Sequence, residues 1–279
     1  MTQSITRKQE EILKLIYKYR FLNRIQIQAF LNHKYHKRIN DWLNDLTEKE
    51  YTGRIYSNKF GENTKPAIYY IESNGIGFIK TEYNFSSEYL TKLYRKKDLS
   101  EDIISQCALI ADIALTLKNR SDQSKKKKSD VSDLSYLLAT AIDLFNPDYH
   151  FNLLAELKTD LLIKKQETTG KKTEITFFLF TMLVSFSTNQ LIRKRIKDII
   201  DFYIEGEWYT IENELFPTIM VICPKLYTLI YAKRLTRRLL EEEDNPEDLQ
   251  FQFTTVDQLK KHGVSGDIWE EANIKYDEI

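Results

Sequence analysis

Residues 6–19 read TRKQEEILKLIYKY, residues 24–31 read RIQIQAFL and residues 35–49 read YHKRINDWLNDLTEK. Ile5, Ile12, Leu15, Ile16 and Tyr19 recur at helical spacing, so the first stretch is a helix with one apolar side. Thr6 is a natural N-cap, with Gln9 three residues on as in a capping box. Asn23 is placed to cap the second stretch, a helix that would bury Ile25, Ile27 and Phe30. Residues 32–34 make a turn, and the third helix would bury Ile39, Trp42, Leu43 and Leu46. The period then changes to two. Residues 51–57 read as a strand, 58–64 as a Gly-centred turn and 65–71 as the returning strand. Three helices followed by a β-hairpin is the element order of a winged helix-turn-helix.

Charge singles out the same region. The formal net charge is +0. Residues 1–97 carry 18 Lys and Arg against 10 Asp and Glu, a balance of +8, whereas residues 241–279 carry 3 against 12, a balance of −9. The basic head suits a polyanion and the acidic tail does not. Within the head, Lys34, Tyr35, His36, Lys37, Arg38 and Asn40 cluster over the first two turns of the third helix, the part of a recognition helix that enters the major groove. Arg and Asn make paired hydrogen bonds to base edges, and Lys is suited to phosphate. Lys59, Asn63 and Lys65 sit at the tip of the hairpin, and Arg24 opens the second helix as a further phosphate contact.

At 279 residues the chain is long enough for two domains. The expected class is α+β: a winged helix in 1–97, then a helical connector and an α/β domain with a mixed sheet in 98–279, ending in the acidic segment. A fourth helix is expected over 73–79 and a longer one over 99–117, followed by a polar interruption at 121–133 with the run Lys125 to Lys128. Strands are expected at 148–154, 175–185, 217–223 and 249–254, and helices at 189–203, 226–241 and 256–262. A hairpin or loop should form around Gly170. Cys107 and Cys223 lie in apolar stretches and read as buried free thiols in a reducing cytoplasm. No signal peptide is expected, because residues 1–11 are polar. The longest apolar run, 176–186, is about half the roughly 20 residues that a membrane helix needs.

The segments ITRKQEEILKLI, RFLNRIQIQAFL and RINDWLNDLTEKEY, followed by Tyr69-Tyr70-Ile71-Glu72-Ser73-Asn74-Gly75, resemble the replication-relaxation family. So do Asn146-Pro147-Asp148, the strand at 177–186, residues 191–203, 217–223, 251–255 and Gly266-Asp267-Ile268-Trp269. The similarity runs over roughly residues 5–270, and the order of short motifs carries it. It implies a winged helix joined to a restriction-endonuclease-like α/β domain. It also implies a role in replication or DNA relaxation on plasmids, conjugative elements and phages.

That resemblance raises a nuclease alternative. A metal-dependent nuclease needs two or three carboxylates around Mg²⁺ and a Lys near the attacking water. Asp148 falls where the family has its first acid. The second belongs in the next central strand, but no carboxylate occurs between Glu174 and Asp198. Asp148 then reads as a turn residue after Pro147, and neither catalytic residues nor a metal or other cofactor is expected. Thr169-Gly170-Lys171-Lys172-Thr173 lacks the earlier Gly of a P-loop, since Lys165 stands there. His33, His36, His150 and His262 have no metal-ligand spacing. The helix at 189–203 carries Arg193, Lys194, Arg195 and Lys197, either as a solvated face or as a second DNA-backbone contact.

The expectation is a DNA-binding protein that does not cut: a replication or mobilisation accessory factor, or a transcriptional regulator. Its partners would be double-stranded DNA, a second copy in a homodimer, and a replication or transcription protein, with no membrane. A protein-interaction module is the remaining alternative, because winged helices also dock proteins.

Overall fold

A computed structural model describes residues 4–56, 66–83, 101–126, 133–185 and 187–272. It divides into two compact units, Met1–Leu115 and Thr116–Ile279. The boundary expected between residues 97 and 98 lies outside the described residues.

The first unit runs α1 (Arg7–Tyr19), β1 (Leu22–Asn23), α2 (Arg24–Phe30), α3 (His36–Glu48), β2 (Thr52–Ile55), β3 (Ile68–Ile71) and α4 (Ser73–Tyr83), then the start of α5 (Glu101–Lys126). Its strands form one antiparallel sheet in the order β1-β3-β2. Local chemistry sets the helix starts. Thr6 and Gln9 form a full capping box on α1, and Asn23 and Gln26 form another on α2. α2 ends on Asn32 with φ of 48°, which Asn tolerates well, while His33 N–H reaches back to the Gln28 carbonyl at 3.1 Å.

The core joins Ile12, Leu13, Ile16 and Tyr17 of α1 to Ile27, Phe30, Ile39, Leu43 and Leu46. Two buried polar side chains are also tied in. Gln9 donates to Asp45 on α3, and Gln26 donates to the Ala108 carbonyl at 2.9 Å and to Asp112 at 2.7 Å on α5. Expectation and structure part at several places: on α1, Leu13 and Tyr17 are buried where Leu15 is half-buried. Ile25 is 55% exposed, because the buried stripe of this short helix runs through Gln26, Ile27 and Phe30. Trp42 is only half-buried, since it stands on the shoulder of α3 beside the Ile39–Leu43–Leu46 stripe. α4 starts tight against β2: a Cβ on Gly75 would lie 2.3 Å from the Tyr51 carbonyl oxygen, so only Gly fits there.

The second unit is built on a six-stranded mixed sheet, β4 (Asp133–Thr140), β5 (Leu161–Thr169), β6 (Lys172–Met182), β7 (Thr218–Cys223), β8 (Phe251–Thr255) and β9 (Glu270–Glu271), in that spatial order. The β4-β5-β6 meander is antiparallel, β6-β7-β8 are parallel, and β9 closes the edge antiparallel. α6 (Ala141–Leu144), α7 (Asn189–Ile204), α8 (Glu207–Ile211), α9 (Leu226–Glu242) and α10 (Val256–His262) connect the strands. Leu162, Phe177, Leu179, Ile219, Val221, Phe251 and Phe253 share one core with Ile192, Ile196 and Ile199 of α7 and Leu229 and Leu235 of α9.

The strand expected at 148–154 is absent. Asn146 Oδ1 accepts from Asp148 N–H at 3.1 Å, Asn152 donates to the Pro147 carbonyl at 2.8 Å, and a 3₁₀ turn follows at Asn152–Ala155. Phe151, Leu154 and Leu157 are buried at a spacing of three, which suits a turn of helix and not a strand. The polar stretch from Ser121 does not interrupt α5, which continues to Lys126. β4 was not foreseen.

Candidate nucleic-acid interface

The residues expected to read DNA gather around the start of α3. Tyr35 is the N-cap residue but offers no side-chain cap, and the first turn of α3 has no acid. Thr6, Asn23, Thr188 and Thr255 cap their helices through the side chain, while Lys225 at the start of α9 does not. The unsatisfied N–H groups of α3 therefore face outward amid Lys34, His36, Lys37 and Arg38, all exposed. Tyr35 is 72% exposed and Asn40 is half-buried.

A relay of polar contacts fixes the turn that leads into α3. Arg24 donates to Gln28 Oε1 at 3.1 Å, and the Gln28 amide donates to the His33 carbonyl at 3.0 Å. His33 Nδ1 accepts from Tyr35 N–H at 3.2 Å, while its ring stands edge-on to Trp42 with centroids 5.2 Å apart. The Arg38 guanidinium lies over the other part of this cluster, 5.6 Å from the Trp42 ring centroid. The half-buried Trp42 is thus a platform for His33 and Arg38.

Two further groups belong with these and were missed in the sequence. Asn44 is exposed on α3, four residues beyond Asn40, and continues the outward face one turn along. Arg54 on β2 pairs in register with Tyr69. Burial pushes the Tyr69 phenol up, and Arg54 and Arg24 pull it back. Those two cations therefore flank one tyrosine. The four-residue β2 carried too weak an alternation to place Arg54. Asp41 is also exposed on α3, which confines the basic character to the first turn. Lys59, Asn63 and Lys65 lie outside the described residues.

The second unit carries a different arrangement where β5 begins and β6 ends. Asp160 accepts from Met182 N–H at 2.7 Å and lies 3.4 Å from Arg195 of α7. Arg195 also donates to the Met182 carbonyl at 2.6 Å and to the Lys158 carbonyl. The guanidinium and the carboxylate together pin α7 to both strand ends. A metal-dependent nuclease needs carboxylates free for a metal ion, and this set does not fit one: the carboxylate at the strand end faces a guanidinium. Asp148 is an exposed turn residue, and Glu174 pairs with Lys172 at 2.6 Å. Among the described residues, no three His, Cys, Asp or Glu side chains are grouped to hold a metal ion. Burial pushes the Cys223 thiol up to about 12, with Glu270 adding to the shift, so it is no nucleophile at neutral pH.

No family model matches the chain, so the likeness to the replication-relaxation family rests on its motifs. No curated protein matches it either. Among solved structures, restriction endonuclease FokI shows a weak likeness, at 12% identity and a TM-score of 0.30 over 92% of this chain. This chain spans 43% of that one. No helix among the described residues is long and apolar enough to cross a membrane.

Proposed function

We propose that the first unit works as a winged helix that binds duplex DNA, with the start of α3 in the major groove. The observation that carries this reading is the exposed, uncapped N-terminus of α3 surrounded by Lys34, His36, Lys37 and Arg38. Cations there oppose the helix dipole, at a cost of about 0.3–1 kcal/mol each. A bound phosphate reverses the sign, because it meets both the cations and the open N–H groups. Arg38, Asn40 and Asn44 are the candidates for base edges. Lys34, Lys37, Arg24 and Arg54 are suited to phosphates, and the hairpin residues Lys59, Asn63 and Lys65 would act as a wing. The motif resemblance adds the setting: a plasmid, conjugative element or phage, with a role as replication or mobilisation accessory factor or as transcriptional regulator.

The second unit, in this reading, binds or scaffolds and does not cut DNA. The support is the engagement of Asp160 by Arg195 and Met182. Fluorescence anisotropy with a labelled blunt duplex tests the binding. Affinity should fall with salt with a log–log slope of about −0.9 per phosphate contact. No binding at low salt would overturn the reading. Supercoiled plasmid incubated with Mg²⁺ or Mn²⁺ tests the second part, and nicking that EDTA abolishes would reverse it.

A further inference from the structure

The face of the large sheet turned away from α7 and α9 holds a cleft of about 220 Å³ that the DNA reading does not use. Strand register builds its floor. Tyr136 of β4 lies opposite Lys165 of β5, Ile163 opposite Phe178 of β6, and Phe180 opposite Met220 of β7. Residues two apart on a strand share a face, so these three rows lie side by side. Trp269 braces the floor edge-on to Phe180, with centroids 5.9 Å apart. Arg120 from the end of α5 and Ser265 from the loop after α10 complete the walls.

The polar groups around this floor have unequal commitments. Lys165 is paired with Glu167 at 2.8 Å. Arg120, the Tyr136 hydroxyl and the Ser265 hydroxyl have no hydrogen-bond or ion-pair partner among the described residues. An apolar floor with a few converging polar groups is the usual make-up of a ligand site. The cleft is smaller than the roughly 300–1,000 Å³ of drug-sized pockets, so it takes one ring, with the rest of a ligand lying across its open rim. Phe178 is the half-buried ring of the floor and suits contact with a planar ring, with Phe180 buried beside it. The open hydroxyls suit a ring with polar edges, and Arg120 suits an anion at one end. An aliphatic acid would satisfy Arg120 and the floor and leave both hydroxyls unused.

We propose that this cleft binds one nucleoside monophosphate unit, either as a free nucleotide or as the unpaired end of a DNA strand. The base lies on Phe178, its edge meets Tyr136 and Ser265, and its phosphate meets Arg120. This site stands whether or not α3 reads duplex DNA.

Saturation-transfer NMR on the intact chain, with the common deoxynucleoside monophosphates as probes and deoxyribose phosphate and hexanoate as controls, tests it. Saturation should reach the base protons and be weak on both controls. By calorimetry, Arg120→Gln and Phe178→Leu should each weaken binding by roughly ten-fold. A duplex with a short single-stranded overhang separates the two sources. If it displaces the monophosphate and a blunt duplex does not, the strand end is the ligand. If neither displaces it, the free nucleotide is. No base saturation with any monophosphate and no binding of the overhang, or equal affinity in wild type and Arg120→Gln, overturns the proposal. Arg120 is exposed on α5, so its replacement decides the matter even if Phe178→Leu disturbs the sheet. Blunt-duplex binding through α3 is scored on Lys37 and Arg38 variants, so failure of one site is told apart from failure of the other.

Discussion

α3 and α7 carry the same kind of sequence: three basic residues in a row or nearly so, on an amphipathic helix with a buried apolar stripe, Ile and Leu in α3 and Ile and Phe in α7. Their surroundings differ. On α7, Arg195 folds back onto the Met182 and Lys158 carbonyls and Asp160, and Lys197 pairs with Asp201 at 2.8 Å. On α3, Lys37 stands exposed and Arg38 leans on an aromatic ring, beside a helix start that no side chain caps. Arg195 thus serves as an internal fastening in α7, while its neighbours Arg193 and Lys194 are exposed like Lys37 and Arg38 of α3. A run of basic residues says little until the carboxylates and carbonyls within reach are known.

The sharpest way to break this comparison is Arg195→Ala. It removes three hydrogen-bonded contacts and leaves the Asp160 carboxylate, whose side chain is 19% exposed, without its cation. The expected loss is about 2–4 kcal/mol, read as a lower melting temperature, with DNA affinity per folded molecule unchanged. If stability holds and affinity falls, Arg195 belongs to an interface and the contrast with α3 disappears.

Lys37→Ala and Arg38→Ala should show the reverse pattern. Each lowers the salt slope of duplex binding by about 0.9 if its side chain meets a phosphate, and melting temperature does not fall. An Arg38 that reads a base would instead cost roughly 1–3 kcal/mol at one position of the site. Loss of stability without loss of binding would place these residues in the same structural class as Arg195.

Tyr35→Asp sharpens the comparison from the other side. It supplies the cap and the negative charge that α3 lacks, which should stabilise the unit by about 0.5–1 kcal/mol. The same carboxylate occupies the N–H groups that a phosphate would use, so DNA binding should weaken. Thermal melting and anisotropy on one protein sample measure both signs. A variant that gains stability and keeps full affinity would remove the helix N-terminus from the interface.

What the sequence disclosed follows from how far apart the cooperating residues are. Thr6 with Gln9 and Asn23 with Gln26 are separated by three residues, so the starts of α1 and α2 were visible as caps beside a 3.6-residue period. The first turn of α3 was visible for the same reason. Asp160 and Arg195 are 35 residues apart and meet only because β5 runs antiparallel to β6 and α7 crosses back. The cleft draws on four strands, a helix end and a loop, which no local pattern announces. The 3₁₀ turn at Asn152–Ala155 hid behind an apolar content that fits either a strand or a short helical turn. Helical spacing placed Trp42 inward with Ile39 and Leu43, but it stands at the edge of that stripe, half-buried, where its open ring can hold Arg38.

The smallest expected effect concerns how α3 is held to α1. Asp45 accepts from Lys49 at 2.8 Å and from the buried Gln9. The Lys49 hydrogen bond, chiefly, holds its carboxyl below the usual range against a smaller opposing effect of burial, with Gln9 helping. A carboxyl whose folded value is depressed adds stability that is fully present above its unfolded value, about 3.9. That stability is lost as pH falls through the folded value. The Asp45 side chain is 40% exposed, so solvent screens the pair and the gain is small. Melting curves of wild type and Asp45→Asn should therefore differ by a small constant amount above about pH 5 and converge below the depressed value. A gap that persists in strong acid would mean that the packing of Gln9 against α3, and not the charge on Asp45, joins the two helices. The open face of α3 would then rest on a neutral hydrogen bond, and its presentation to DNA would be insensitive to acid.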